Sequence, residues 1–114
     1  MYYCMEIHYS DAKLERCARN ERFAKKHLGS QRAKVYLRRI AQLTAATTFE
    51  DLRNAPGCFH QLSQDRKGQW SFALDQPYRL IIECGNSELP INVQGRLDWS
   101  QITVAVIVEI VDYH

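Results

Sequence analysis

The sequence predicts an α+β domain: an N-terminal strand and a helical hairpin packed on one face of a mainly antiparallel sheet. Three observations carry this. Apolar residues recur at helical spacing from Leu14 to Leu43, three short β-type runs with turn-rich links follow between Cys58 and Cys84, and Ile102 to Val111 is a nearly unbroken run of β-formers. Helices gathered before a meander of strands make a two-layer α+β arrangement.

Glu6-Ile7-His8-Tyr9 alternates briefly and reads as a short first strand. Ser10 and Asp11 offer N-caps to a helix over Ala12 to Leu28, with an apolar stripe of Leu14, Cys17, Ala18, Phe23, Ala24 and Leu28, and Gly29 suits its C-terminal stop. Ser30 can cap the next helix, whose stripe is Ala33, Tyr36, Leu37, Ile40 and Leu43. So short a link makes the two helices neighbours in a hairpin. Thr48 to Leu52 reads as a single capped turn, and Pro56-Gly57 breaks the chain.

Cys58 to Leu62, Gln69 to Leu74 and Tyr78 to Cys84 then read as antiparallel strands, with Trp70 and Phe72 alternating against Ser71 and Ala73. Gly85 to Gln101 is polar and reads as an extended loop or small β-excursion. The last strand is apolar on both sides, which places it in the sheet interior.

At 114 residues the chain is a single domain spanning 1–114, with the 46% apolar and 25% charged fractions of an ordinary globular protein. No apolar stretch reaches the roughly 18 residues of a membrane span. Met1-Tyr2-Tyr3-Cys4-Met5 lacks the basic-then-apolar pattern of a secretion signal, so a soluble cytoplasmic protein without membrane partners is expected. Cys4, Cys17, Cys58 and Cys84 are scattered, which fits reduced packed thiols and suits neither a disulfide framework nor a zinc site; no metal or cofactor is expected.

The net charge of +2 hides an asymmetry. Through Thr47 ten basic residues face four acidic ones, and the remainder carries five against nine. A basic half suits an anionic partner such as nucleic acid or an acidic protein, and equally suits a solvated helical hairpin.

The run Pro56-Gly57-Cys58-Phe59-His60-Gln61-Leu62, then Asp65-Arg66-Lys67-Gly68-Gln69-Trp70-Ser71-Phe72, then Tyr78-Arg79-Leu80-Ile81 and finally Val111-Asp112-Tyr113-His114 resembles the HigB-like toxins of the RelE/ParE superfamily. The resemblance covers Phe49 to Cys84 and the Asp-Tyr-His end, and agrees with the helical hairpin in layout. It implies a RelE-like fold and a small type II toxin that cuts messenger RNA on the ribosome. It also implies an antitoxin with a helix-turn-helix domain, through which any contact with operator DNA would run.

By the same resemblance His60, Arg79, Asp112, Tyr113 and His114 fall on the family's functional positions. Family members usually carry a Lys three residues after the position of His60; here that residue is Ser63, with Arg66 and Lys67 close by on the turn.

The residue types fit metal-free RNA cleavage. His60 and His114 can take the proton from a ribose 2′-OH and return one to the leaving 5′ oxygen. Arg79 can bind two phosphate oxygens with its planar fork, while Asp75 and Glu83 are its alternative surface partners. Asp112 can orient an imidazole or hold Arg79. Arg66 and Lys67 add positive potential, and Tyr113 can stack on a base; Trp70 reads first as a core anchor and second as an RNA-stacking residue. Ser63 motivates the alternative of a binding protein: a weakened toxin kept as operon co-repressor, or a ParE-like gyrase inhibitor. The antitoxin can dock on the basic hairpin or on the sheet edge.

Overall fold

A computed structural model of the protein describes residues 4–63, 66 and 68–112. Its elements are β1 (Glu6–Tyr9), α1 (Ala12–Arg19), α2 (Glu21–Leu28), α3 (Ser30–Ala45), a 3-10 turn (Phe49–Leu52), β2 (His60–Gln61), β3 (Gln69–Ala73), β4 (Tyr78–Cys84), a second 3-10 turn (Trp99–Gln101) and β5 (Val104–Asp112). The five strands form one sheet in the order β1-β5-β4-β3-β2; β1 runs parallel to β5 and every other pair is antiparallel. The apolar last strand is therefore interior, as its composition predicts.

The helical layer differs from expectation in one respect: Ala12 to Leu28 is two helices. Asn20 leaves helical backbone (φ −140°, ψ 105°), and its side chain accepts from the amide of Phe23 at 3.0 Å. A short amide side chain that caps a new helix competes with continuation of the old one. Asp11 caps α1 through the amide of Lys13, and Gly29 (φ 85°) makes the turn into α3. The Asp51 carboxylate accepts from the amides of Thr47 and Thr48, which fixes the first 3-10 turn.

The core lies between the helices and one sheet face. Cys17, Ala24, Ala33, Tyr36 and Leu43 meet Phe72, Leu80, Ile82, Ala105 and Ile107, all fully buried. Toward the β2 edge it becomes aromatic. Phe59 packs edge-on to Phe49 and Phe72 (both 5.2 Å) and to Trp99 (5.8 Å), and Trp70 is edge-on to Phe49 at 4.9 Å. Aromatic rings prefer such edge contacts because ring edges and faces carry opposite partial charge.

The segment from Gly85 to Gln101 is a small excursion, as one of its two readings has it: Ile91 bridges to Leu97, and Asp98 caps the turn that buries Trp99. Among the described residues no helix is long and apolar enough to cross a membrane.

β5 carries a bulge. Ile82 pairs with Ile107 and Ile81 with Glu109, so Val108 is the extra residue. The slip moves the core-facing positions from Ala105 and Ile107 before it to Ile110 after it, and turns Glu109 and Val111 to the opposite face.

Candidate active site on the open sheet face

The site is built on the sheet face away from the helices. In cross-strand register His60 stands opposite Ser71, Ser71 opposite Ile81, and Ile81 opposite Glu109; Arg79 lies two residues before Ile81. Alternation puts all of these on one face because Phe72, Leu80 and Ile82 point into the core. His60, Leu62, Ser71 and Arg79 line a concavity of about 220 Å³.

His60 is held by its neighbours. Phe59 before it is locked in the aromatic cluster, and Gln61 after it accepts from the Trp99 indole at 3.3 Å. The imidazole Nδ1 lies 2.9 Å from the Cys58 carbonyl, which can only accept. Nδ1 therefore carries a proton, and Nε2 is the nitrogen that exchanges one. The Cys58 thiol is also close, with Sγ 3.8 Å from Nδ1, and its backbone sits at φ 50° after Gly57 at φ 110°. A Cβ at Gly57 would lie 2.4 Å from Phe72 Cε1 and 2.9 Å from Arg39 Cζ. The tight Pro56-Gly57 turn thus sets where β2 begins.

Arg79 is half-buried, and its Nη1 has no hydrogen-bond partner among the described residues. Both surface acids that the sequence offers it are engaged elsewhere. Asp75 takes two hydrogen bonds from Arg32 (3.1 and 3.3 Å), whose guanidinium also lies 3.5 Å from the centre of the Tyr78 ring. Glu83 accepts from Gln69 at 2.8 Å. Ser71 is 1% exposed, and its hydroxyl also lacks a partner among the described residues.

Two expectations need correction or qualification. Trp70 is fully buried against Phe49 and Phe59, so its ring is not available to stack on RNA. Arg66, expected to add positive potential, is ion-paired: it bonds Glu109 at 3.2 Å and Gln69 at 2.9 Å, which offsets part of that charge. Asp112 ends β5 opposite Tyr78, one step beyond the Val111–Arg79 pair. Lys67, Tyr113 and His114 lie outside the described residues.

The sequence reading passed over Ser71, Leu62 and the Cys58 carbonyl. The alternation of Trp70 and Phe72 with Ser71 signals only that Ser71 faces away from the core. Its burial, in a concavity shared with His60, Leu62 and Arg79, is a matter of tertiary placement that the alternation does not signal. Among the described residues no three His, Cys, Asp or Glu side chains converge as metal ligands.

A guanidinium with an unsatisfied nitrogen, a buried hydroxyl and a tautomer-fixed imidazole can together receive an anion and exchange a proton with it. A family model described as the RelE-like toxin of the type II toxin–antitoxin system HigB matches residues 7–99. No curated protein matches the chain.

Proposed function

The chain belongs to the HigB-like family of RelE-like type II toxins, a membership that implies a cognate antitoxin, and from it we propose that the protein is a ribosome-dependent messenger-RNA endonuclease. The observation that favours this is the shared concavity of His60 and Arg79, in which Arg79 Nη1 has no partner among the described residues.

In this reading Arg79 binds the scissile phosphate through two oxygens and stabilises the charge that builds there. One imidazole takes the 2′-OH proton, O2′ attacks phosphorus, the P–O5′ bond breaks, and a second acid protonates O5′. His60 Nε2 and His114 share these roles, with Asp112 orienting the terminal imidazole and Tyr113 stacking on the base. The chemistry uses side chains of the chain and needs no metal. Arg66, tied to Glu109, contributes field more than contact. The helix-turn-helix antitoxin and ribosome-bound messenger are the partners of this reading, with operator DNA reached through the antitoxin, in the cytoplasm.

The test is cleavage in a translation extract. Purified toxin should cut translated messenger RNA, and His60→Ala and His114→Ala should each suppress cutting while melting like the wild type. Intact transcripts under conditions where a known toxin of this type cuts would overturn the proposal. Growth arrest that survives both substitutions and brings a DNA-damage response would favour a gyrase target.

A further inference from the structure

We propose that Ser71 and Arg79 form a single oxyanion cradle, in which the Arg79 guanidinium spans two oxygens of a phosphodiester and the Ser71 hydroxyl donates to one of them. The identity of the ligand rests on the nuclease reading above; the cradle itself rests on geometry.

Ser71 is in the middle of β3, 1% exposed, with its Oγ buried and unpartnered among the described residues. A buried hydroxyl without a partner is unfavourable, and Ala or Val would fill a strand position at no such cost. Arg79 Nη1 is the second orphan on this face, one register step away: Ser71 stands opposite Ile81, and Ala73 opposite Arg79. Both side chains line the same concavity with His60. Two unsatisfied donors on adjacent strands, beside a group that exchanges protons, match a tetrahedral oxyanion.

A third orphan sharpens the contrast. Trp70 Nε1 is also unpartnered, but it sits among Phe49, Phe59 and Trp99 on the core side of the same strand, away from any ligand. Ser71 differs in reaching a concavity, and rotation about its χ1 swings the hydroxyl between three staggered positions, so Oγ can turn to meet an arriving oxygen. Leu62, the apolar residue of the lining, keeps the cradle partly dry, which strengthens each charge-assisted bond.

The experiment measures binding of inorganic phosphate and of a 2′-deoxy dinucleotide phosphodiester, which the toxin cannot cleave, to the wild type, Ser71→Ala and Arg79→Lys. Each protein's ligand-free melting temperature is recorded alongside. The wild type should bind both probes. Ser71→Ala should weaken both about tenfold, the loss of one hydrogen bond to a charged group. It should melt no lower than the wild type, because an orphan has been removed. Arg79→Lys should weaken both at least as much.

Equal affinity of wild type and Ser71→Ala would overturn the cradle. So would a fall in the melting temperature of Ser71→Ala, which would mean that the hydroxyl is already bonded in the free protein. Binding of phosphate without the diester would reassign the site to a free anion and also overturn it. If the cradle behaves as stated while translated messenger stays intact, the nuclease reading fails and the cradle stands. If messenger is cut and Ser71→Ala binds like the wild type, the reverse holds.

Discussion

The Tyr36 hydroxyl in α3 donates to the Leu14 carbonyl in α1 at 2.7 Å, entirely within the core. This bond joins the first helix to the third across the two-helix break at Asn20. Tyr36→Phe keeps the ring and strands the carbonyl, so it should cost about 1–2 kcal/mol. That corresponds to a drop of roughly 4–8 °C in melting temperature per kcal/mol. Thermal unfolding followed by circular dichroism checks it; an unchanged midpoint would mean that water replaces the bond.

The same phenol makes the fold sensitive to alkali. Burial holds the Tyr36 hydroxyl well above the ordinary tyrosine value of 10.0, and burial also raises Tyr9. Groups whose folded-state pKa is raised contribute stability that is full below the unfolded value and is lost as pH rises above it. Stability should hold up to about pH 10 and then fall, because the unfolded chain releases these protons first. Tyr36→Phe should flatten that decline. Melting temperatures measured from about pH 8 to about pH 12 would show both effects.

Gly57 is expected to be intolerant. Its φ of 110° and the 2.4 Å approach to Phe72 leave no room for a methyl group. Gly57→Ala should destabilise by about 2–4 kcal/mol, combining backbone strain with overpacking. Since the turn precedes β2, any folded fraction should also show a displaced His60, readable in the imidazole resonances. A variant as stable as the wild type would refute the account of the turn.

At the proposed site, His60→Ala should lower the rate of messenger cleavage by about 100- to 10,000-fold, the usual contribution of one acid/base group. The melting temperature should barely move, because the ring is exposed. Arg79→Lys keeps the charge and loses the planar fork, so a clear loss of rate is expected there too. Rates within twofold of the wild type for both variants would remove these residues from the chemistry.

The bulge supplies a further test. Deleting Val108 would make the pairing regular while keeping Glu109 opposite Ile81 and Ile110 opposite Leu80, so Ile110 should stay in the core. The deletion should therefore lower the melting temperature by less than the Tyr36→Phe change. A steep loss of stability would show that the local bend made by the bulge is needed for β5 to pack.

Much of the fold was legible because its signals are local. Asp11 and Gly29 bracket the first helical stretch, Pro56-Gly57 ends the helical half, and the apolar β5 run announces an interior strand. Asn20 was not legible as a break, because the apolar period passes through it undisturbed. The Val108 bulge was hidden for a related reason: Val104 to Val108 is apolar at every position, so no alternation exists to slip. The site was legible only through the family resemblance. That Asp75 and Glu83 are engaged away from Arg79 depends on Arg32 and Gln69, contacts between residues distant in sequence. Trp99 lies inside a polar stretch whose composition allows a loop or a small β-excursion and marks no buried ring.

The place of β5 between β1 and β4 also governs the order in which the molecule can be completed. β1 joins the sheet only by pairing residue 6 with residue 104, and β4 has β5 as its other neighbour. During synthesis the helices and the β3–β4 hairpin can form early, but β5 is made after both of the strands that it joins. Until positions 104–112 are available, β1 has no partner and one edge of β4 stays open, the slow and aggregation-exposed situation of long-range pairing. β5 thus acts as the tie that closes the sheet, joining β1 to β4 in a single step.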